Sequence, residues 1–218
     1  MTTGSGPSRA EIDLLNSIYP VSRETISRLE RYNAILRQWQ AKTNLVAPST
    51  LDEFWSRHVA DSLQIVALKS DARRWTDIGS GGGFPGLVMA IVLGTEKPGS
   101  DLEISLVESI RKKCAFLSQV ALQTGIRVNV HPKRIEDATD ELKGAEVITA
   151  RALASLEKLL ELTGDQISGD RVALFHKGRD YRAELEECRG KWDFDLLVHE
   201  SVLGADSVVL EIANARRL

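Results

Sequence analysis

Five glycines crowd the eight residues from Gly79 to Gly86. The chain must turn sharply there, because glycine takes positive φ at little cost and leaves no Cβ between backbone and ligand. The spacing Gly81-x-Gly83-x-x-Gly86 formally meets the dinucleotide-binding fingerprint. An acid decides more than the glycines do. Glu108 lies 22 residues beyond Gly86, at the expected end of the next strand, where a carboxylate can accept both hydroxyls of an adenosine ribose. NAD and S-adenosylmethionine both present that ribose. Pro85 removes one of the N–H groups that a pyrophosphate would seek at a helix N-terminus, and Asp77, just before the turn, repels phosphate. A zwitterionic methionine tail with a sulfonium suits this turn better. A turn built for packing alone needs fewer glycines.

Other side chains could meet an acceptor. Positive charge gathers at Arg111-Lys112-Lys113, Lys133-Arg134, His176-Lys177 with Arg179 and Arg182, and Arg216-Arg217. A net charge of −3 argues against indiscriminate coating of nucleic acid, since that binding scales with the phosphates neutralised. Any nucleic-acid contact is local, and charge runs otherwise mark solvated faces. Arg111, Lys112 and Lys113 fall in the first turn of an expected helix, where the macrodipole disfavours cations by about 0.3 to 1 kcal/mol each. A broken local rule points to function; a nucleic-acid phosphate is one explanation, and pairing with Glu108 or solvation is the other. His58, Asp61 and Ser62 share a helix face. Adjacent Asp and Ser on one helix do not make the ordered chain of a Ser-His-Asp triad, so a capping network between helical region and core fits them better. Cys114 and Cys188 lack paired spacing, which removes the case for a disulfide framework or a cysteine-based zinc site. Free buried thiols and no metal are expected.

The elements that position these residues follow from periodicity. Ile12, Leu15 and Tyr19 are helically spaced before Pro20, and a second amphipathic helix after Ser22 carries Ile26, Leu29, Leu36 and Trp39. Ser49 or Thr50 can cap a third helix from about Leu51 to Leu68. From Trp75 short apolar runs alternate with helical stretches, as in successive βαβ units. Strands are expected at Trp75 to Ile78, Leu102 to Val107, Arg127 to His131, Ala145 to Ala150 and Arg171 to Lys177, with Ser109 capping the helix after the second. The remainder reads as helix, strand, strand. The fold class is therefore α/β: residues 1–70 form a helical extension packed on the core, and residues 71–218 form one Rossmann-like, doubly wound unit. The longest apolar run, Leu87 to Leu93, falls far short of the roughly 20 residues of a membrane span. The polar stretch Met1 to Arg9 does not read as a signal peptide, so a cytoplasmic location without membrane contact is expected.

The run Asp77-Ile78-Gly79-Ser80-Gly81-Gly82-Gly83-Phe84-Pro85-Gly86 resembles the signature of the bacterial 16S rRNA guanine-N7 methyltransferase family, also called glucose-inhibited division protein B. Further segments match in order: Asn44-Leu45, Arg57-His58 with Asp61-Ser62, Glu108-Ser109 with Lys112-Lys113 and Phe116-Leu117, Arg134-Ile135-Glu136-Asp137, Thr149-Ala150-Arg151-Ala152, and His176-Lys177-Gly178. The likeness runs from about Asn33 to Gly178; the ending Glu211 to Arg217 departs from the hydrophobic, basic ending of the family. The resemblance implies a class I methyltransferase fold with S-adenosyl-L-methionine contacted at Gly79, Phe84, Ile135, Glu136 and Arg151. Asp77, Gly81 and Glu108 join them from the turn argument. Arg151 also stands as a positioning residue for catalysis, with a structural ion pair as the alternative. Arg111, Lys112, Lys113, Arg134, Lys177 and Arg179 are candidate RNA contacts, and 16S rRNA or the small ribosomal subunit is the implied partner of a monomer.

Guanine N7 bears a lone pair and no proton, so methylation there needs positioning and no obligatory base. The residues agree, since strand four ends in Thr149-Ala150-Arg151-Ala152 without a Pro-Cys pair or an Asn/Asp-Pro-Pro-aromatic motif. An NAD-dependent oxidoreductase using the same turn, and a non-catalytic RNA-binding or assembly factor on a retained cofactor fold, are the competing readings.

Overall fold

The computed structural model describes residues 6–204 and 207–218; the first five residues of the polar N-terminal stretch lie outside them. Two helices open the chain, α1 (Arg9–Ile18) and α2 (Arg23–Gln40). Ser8 caps the first in a reciprocal box with Glu11, and the Ser22 hydroxyl accepts from Thr25 N to cap the second. The expected single third helix is instead three segments. A 3-10 turn (Pro48–Glu53) runs into a π-helical turn (Phe54–Val59) and then α3 (Ala60–Leu68). Thr50 does not cap it: the hydroxyl donates to Ala47 O at 2.9 Å. Phe54 and Trp55, packed edge-on at 5.1 Å, are both buried along this wide turn. A local spacing rule does not contain that tertiary demand.

The remaining elements alternate as β1 (Arg74–Ile78), α4 (Gly86–Glu96), β2 (Glu103–Val107), α5 (Arg111–Thr124), β3 (Asn129–His131), α6 (Thr139–Gly144), β4 (Val147–Arg151), α7 (Leu156–Thr163), β5 (Val172–Gly178), α8 (Tyr181–Cys188), β6 (Trp192–Glu200) and β7 (Ser207–Arg217). They form one seven-stranded sheet of order β3-β2-β1-β4-β5-β7-β6. The first five strands are parallel, and β7 runs antiparallel to both neighbours. Helices cover both faces, so the strand residues from Trp75 to Ile78 are all buried, as a parallel sheet requires. Gly125 ends α5 with φ 67°, the left-handed conformation that glycine takes readily at a helix C-terminus. Ser109 does not cap that helix; the Glu108 carboxylate takes the Ile110 N–H instead, at 2.7 Å.

Two apolar clusters flank the sheet. One joins Leu29, Leu36, Phe54 and Leu63 of the N-terminal helical region to Leu87–Leu93 and Phe116. The other lies beneath α7, α8 and the last two strands, around Leu160, Phe175 and Leu210. Cys114 and Cys188 are free and buried. No helix among the described residues is long and apolar enough to cross a membrane. Strand order reverses between β1 and β4, and it is at such a switch point, at the carboxyl ends of the strands, that open α/β sheets bind ligands.

Candidate active site

The glycine turn follows β1 and folds over its end. Gly79 N and Ser80 N donate to Val107 O at 2.8 and 3.2 Å, and Ser80 Oγ donates to Asp77 O at 2.9 Å. Gly79, Gly81 and Gly83 have φ of 64°, 51° and 87°, a region that side chains rarely enter. At Gly79 a Cβ would stand 2.5 Å from Leu153 Cδ1, whereas at Gly81 it would meet only Gly79 O at 3.6 Å. The first glycine is thus required by packing as well as conformation, and the second faces open space.

That space is a cavity of about 710 Å³. Gly79, Gly81, Phe84, Glu108, Ile135, Glu136 and Arg151, expected as cofactor contacts from four separate segments, all line it. Glu108 is buried to 6% exposure, and its two oxygens accept from Gly81 N at 3.0 Å and Ile110 N at 2.7 Å. It ties the glycine turn to the end of β2, and each oxygen keeps capacity for a further donor. Ile135 and Glu136 form a single 3-10 turn just beyond β3. Asp77 is the exception. It lies beneath the turn and not on the cavity wall, 1% exposed, accepting from Thr149 Oγ1 at 2.8 Å across β1 and β4. Burial pushes its carboxyl up to about 6, against the hydrogen bonds from Thr149 and Ser80 that hold it down.

Phe84 is gripped by the N-terminal helical region. Its ring stacks between Tyr32 at 5.3 Å and His58 at 4.6 Å, and the Tyr32 hydroxyl donates to Gly82 O. Arg151, at the end of β4, reaches the same place. Its Nη1 donates to His58 Nδ1 at 3.0 Å, its Nε lies 3.1 Å from Asp61 Oδ2, and its guanidinium sits 5.8 Å from the Phe84 centroid. A guanidinium can only donate, so Nδ1 is the acceptor and His58 carries its proton on Nε2, 3.0 Å from Thr50 Oγ1. Burial, with Arg151 and Arg57 nearby, lowers the His58 pKa to about 3. Ser62 Oγ donates to the His58 carbonyl at 2.7 Å. The three residues make a network between helical region and core, and no triad. For Arg151 the ion pair and the cavity position hold together.

The basic residues divide. Lys113 and Arg134 line the first cavity and Arg179 a second one, while Arg111 is exposed. The Nζ groups of Lys112 and Lys177 are engaged within the protein. Lys112 Nζ donates to Lys42 O at 2.5 Å just past the end of α2, and Lys177, 8% exposed, donates to Ala154 O at 2.9 Å and pairs with Glu184. Arg216 pairs with Asp193. Sequence reasoning missed Tyr32, Thr50 and Arg57 as members of the site. Arg57 carries no signal beyond its place in a matched segment, and nothing local marks a buried tyrosine as a loop anchor. The second cavity, about 720 Å³, adjoins the first and shares Arg57, Arg151, Ala152 and Leu153 with it. Among the described residues no group of three or more His, Cys, Asp or Glu side chains could hold a metal ion.

Comparisons with known proteins give the family and the fold. Residues 25–212 match the family model described as rRNA small subunit methyltransferase G. Curated relatives named ribosomal RNA small subunit methyltransferase G include one from Chelativorans sp. strain BNC1, 48% identical over 91% of this chain and 93% of its own. Another, from Brucella anthropi, is 48% identical over 93% and 94% of the two chains. Among solved structures, a point mutant of MtNAS in complex with S-adenosylmethionine superposes with TM-score 0.57 at 16% identity, over 85% of this chain and 71% of that one. A candidate O-methyltransferase from Klebsiella pneumoniae gives 0.53 at 15% identity over 95% and 97%. The fold is that of the class I S-adenosylmethionine-dependent methyltransferases.

Proposed function

The chain belongs to the rRNA small subunit methyltransferase G family, and on that premise we propose that it transfers a methyl group from S-adenosylmethionine to N7 of a guanine in the decoding region of 16S ribosomal RNA. One observation carries the reading: two cavities meet at the sheet's switch point along a common edge of Arg151, Ala152 and Leu153. One has the wall for a cofactor, and the other has room for an acceptor.

The residues of the first cavity fit the cofactor. Gly79 and Gly81 expose backbone where a Cβ would intrude, Glu108 offers carboxylate oxygens for a ribose, and Ile135 with Glu136 forms an apolar and backbone edge for an adenine. When bound, the cofactor supplies an electrophilic methyl on a sulfonium. The chain's own work is to orient and to exclude water. Arg151, fixed by Asp61 and His58, holds the common edge rigid, and rigid alignment of two reactants is a sufficient source of rate for a nucleophile that carries no proton. His58, with both nitrogens engaged, is not available as a base, and none is needed. Arg111, Lys113, Arg134 and Arg179 are the proposed RNA contacts, and the reading carries with it a cytoplasmic monomer that meets 16S rRNA or the small subunit.

Two measurements test this reading. S-adenosylhomocysteine should raise the melting temperature in a titratable way while NADH does not; stabilisation by NADH alone would restore the oxidoreductase reading. With methyl-labelled cofactor, label should enter the RNA of small ribosomal subunits lacking the modification. RNA binding without transfer would leave an assembly factor in its place.

A further inference from the structure

Leu153 stands where the two cavities meet, and core packing does not account for it. It lines both cavities, it is 37% exposed, and neither apolar cluster includes it. Its two methyl carbons lie on the glycine turn, where a Cβ on Gly79 would come within 2.5 and 2.9 Å of them. Ala152, just before it, has φ 52°. A residue with a Cβ enters that left-handed region at a cost, and such strain persists where the surrounding structure fixes it, most often at functional sites. Ala152 is itself exposed, so the strained residue buries no side chain of its own. Its effect is to turn the chain at the end of β4 and bring a large aliphatic side chain to the edge that the cavities share.

The chemistry of the transfer supplies a reason. Guanine N7 attacks through its lone pair, and an arginine or lysine that reads guanine donates to that same N7 and to O6. A donor beside N7 therefore competes with the methyl group for the lone pair. Among the described residues, Arg57, Arg151, Ala152 and Leu153 line both cavities. Arg151 has Nη1 engaged by His58 and Nε by Asp61, and Arg57 Nη1 lies 3.4 Å from Glu53 Oε2. Leu153 is the large side chain of the four that carries no donor at all. An aliphatic wall also keeps out water, another donor to N7, and gives a planar base a surface to lie against.

We propose that Leu153 is the residue against which the target guanine seats, holding N7 at the sulfonium methyl with no competing hydrogen-bond donor. This rests on the reading of the chain as a guanine-N7 methyltransferase. The test is the single-turnover rate of transfer to small ribosomal subunits lacking the modification, with enzyme and S-adenosylmethionine saturating, beside a calorimetric titration of S-adenosylhomocysteine. Leu153→Met and Leu153→Gln introduce unbranched side chains of similar length, and only glutamine brings an N–H donor. Leu153→Gln should transfer at least about tenfold more slowly than Leu153→Met, the effect of one hydrogen bond that must be broken before attack. Both variants should bind S-adenosylhomocysteine within about threefold of each other, since they fill the space over Gly79 alike. The site is 37% exposed, so both variants are expected to fold, which circular dichroism checks. A Leu153→Gln rate no lower than that of Leu153→Met overturns the assignment. So does a loss of rate matched by an equal loss of S-adenosylhomocysteine affinity, because Leu153 would then serve the first cavity alone. Absence of transfer by the wild-type enzyme would instead overturn the underlying methyltransferase reading.

Discussion

Arg151 touches the first cavity, the second cavity and the N-terminal helical region at once. Replacing it by alanine leaves the Asp61 carboxylate, 4% exposed, without its cation. Loss of one partner of a buried pair costs about 3 to 5 kcal/mol, and urea unfolding should show a destabilisation of that order. Methyl transfer, assayed at a temperature where Arg151→Ala is still folded, should fall at least about a hundredfold if rigid alignment is its task; near wild-type turnover would reduce Arg151 to a structural ion pair. His58 carries a pH signature. Its pKa is about 3 in the fold against 6.5 ordinarily, so the unfolded chain binds more protons between these values. Stability from this group is complete above pH 6.5 and is lost as pH falls toward 3, by at most about 1.4 kcal/mol per pH unit. The difference in unfolding free energy between wild type and His58→Gln should shrink over that window, and a constant difference would show that His58 is protonated in the folded protein.

At the scale of elements, the glycine turn is held from both sides. Glu108 anchors it from β2, and Tyr32 of α2 anchors it through Gly82 O. Tyr32→Phe should lower stability by about 1 kcal/mol and weaken S-adenosylhomocysteine binding several-fold in a calorimetric titration; unchanged affinity would mean that the turn holds its shape without α2. The basic residues Lys112, at the start of α5, and Arg134, beyond β3, divide by the same reasoning. Lys112→Ala should cost stability without changing the salt dependence of RNA binding, whereas Arg134→Ala should flatten the log–log salt slope by about 1. The strands, the turn and α2 were legible because their signals are local: apolar runs, a glycine cluster and the capping Ser22. The π-helical turn at Phe54–Val59 was not, since ring packing against Phe84 sets it. Likewise the direction of Lys112 and Lys177 is fixed by carbonyls and a carboxylate brought in from distant segments. That Glu108, Ile135, Glu136 and Arg151 meet at one cavity follows from strand order alone, which a βαβ reading supplies. That Asp77 sits below the wall depends on strand pleat, which it does not.

For the molecule as a whole, one apolar cluster runs from α2 and α3 into α4 and α5. We therefore propose that residues 1–70 fold as part of the methyltransferase unit, and calorimetry should give a single transition with matching calorimetric and van't Hoff enthalpies. A separate early transition for the helical extension would contradict this. The same continuity explains how a helical region comes to shape the first cavity: the packing that buries Leu29 and Leu36 also sets Tyr32 and Phe84. The central claim is that the paired cavities at the switch point align a sulfonium methyl with guanine N7. Its most direct test is nucleoside analysis of ribosomal RNA after reaction with methyl-labelled cofactor. Label is expected in 7-methylguanosine alone; label in any other nucleoside would contradict transfer to N7.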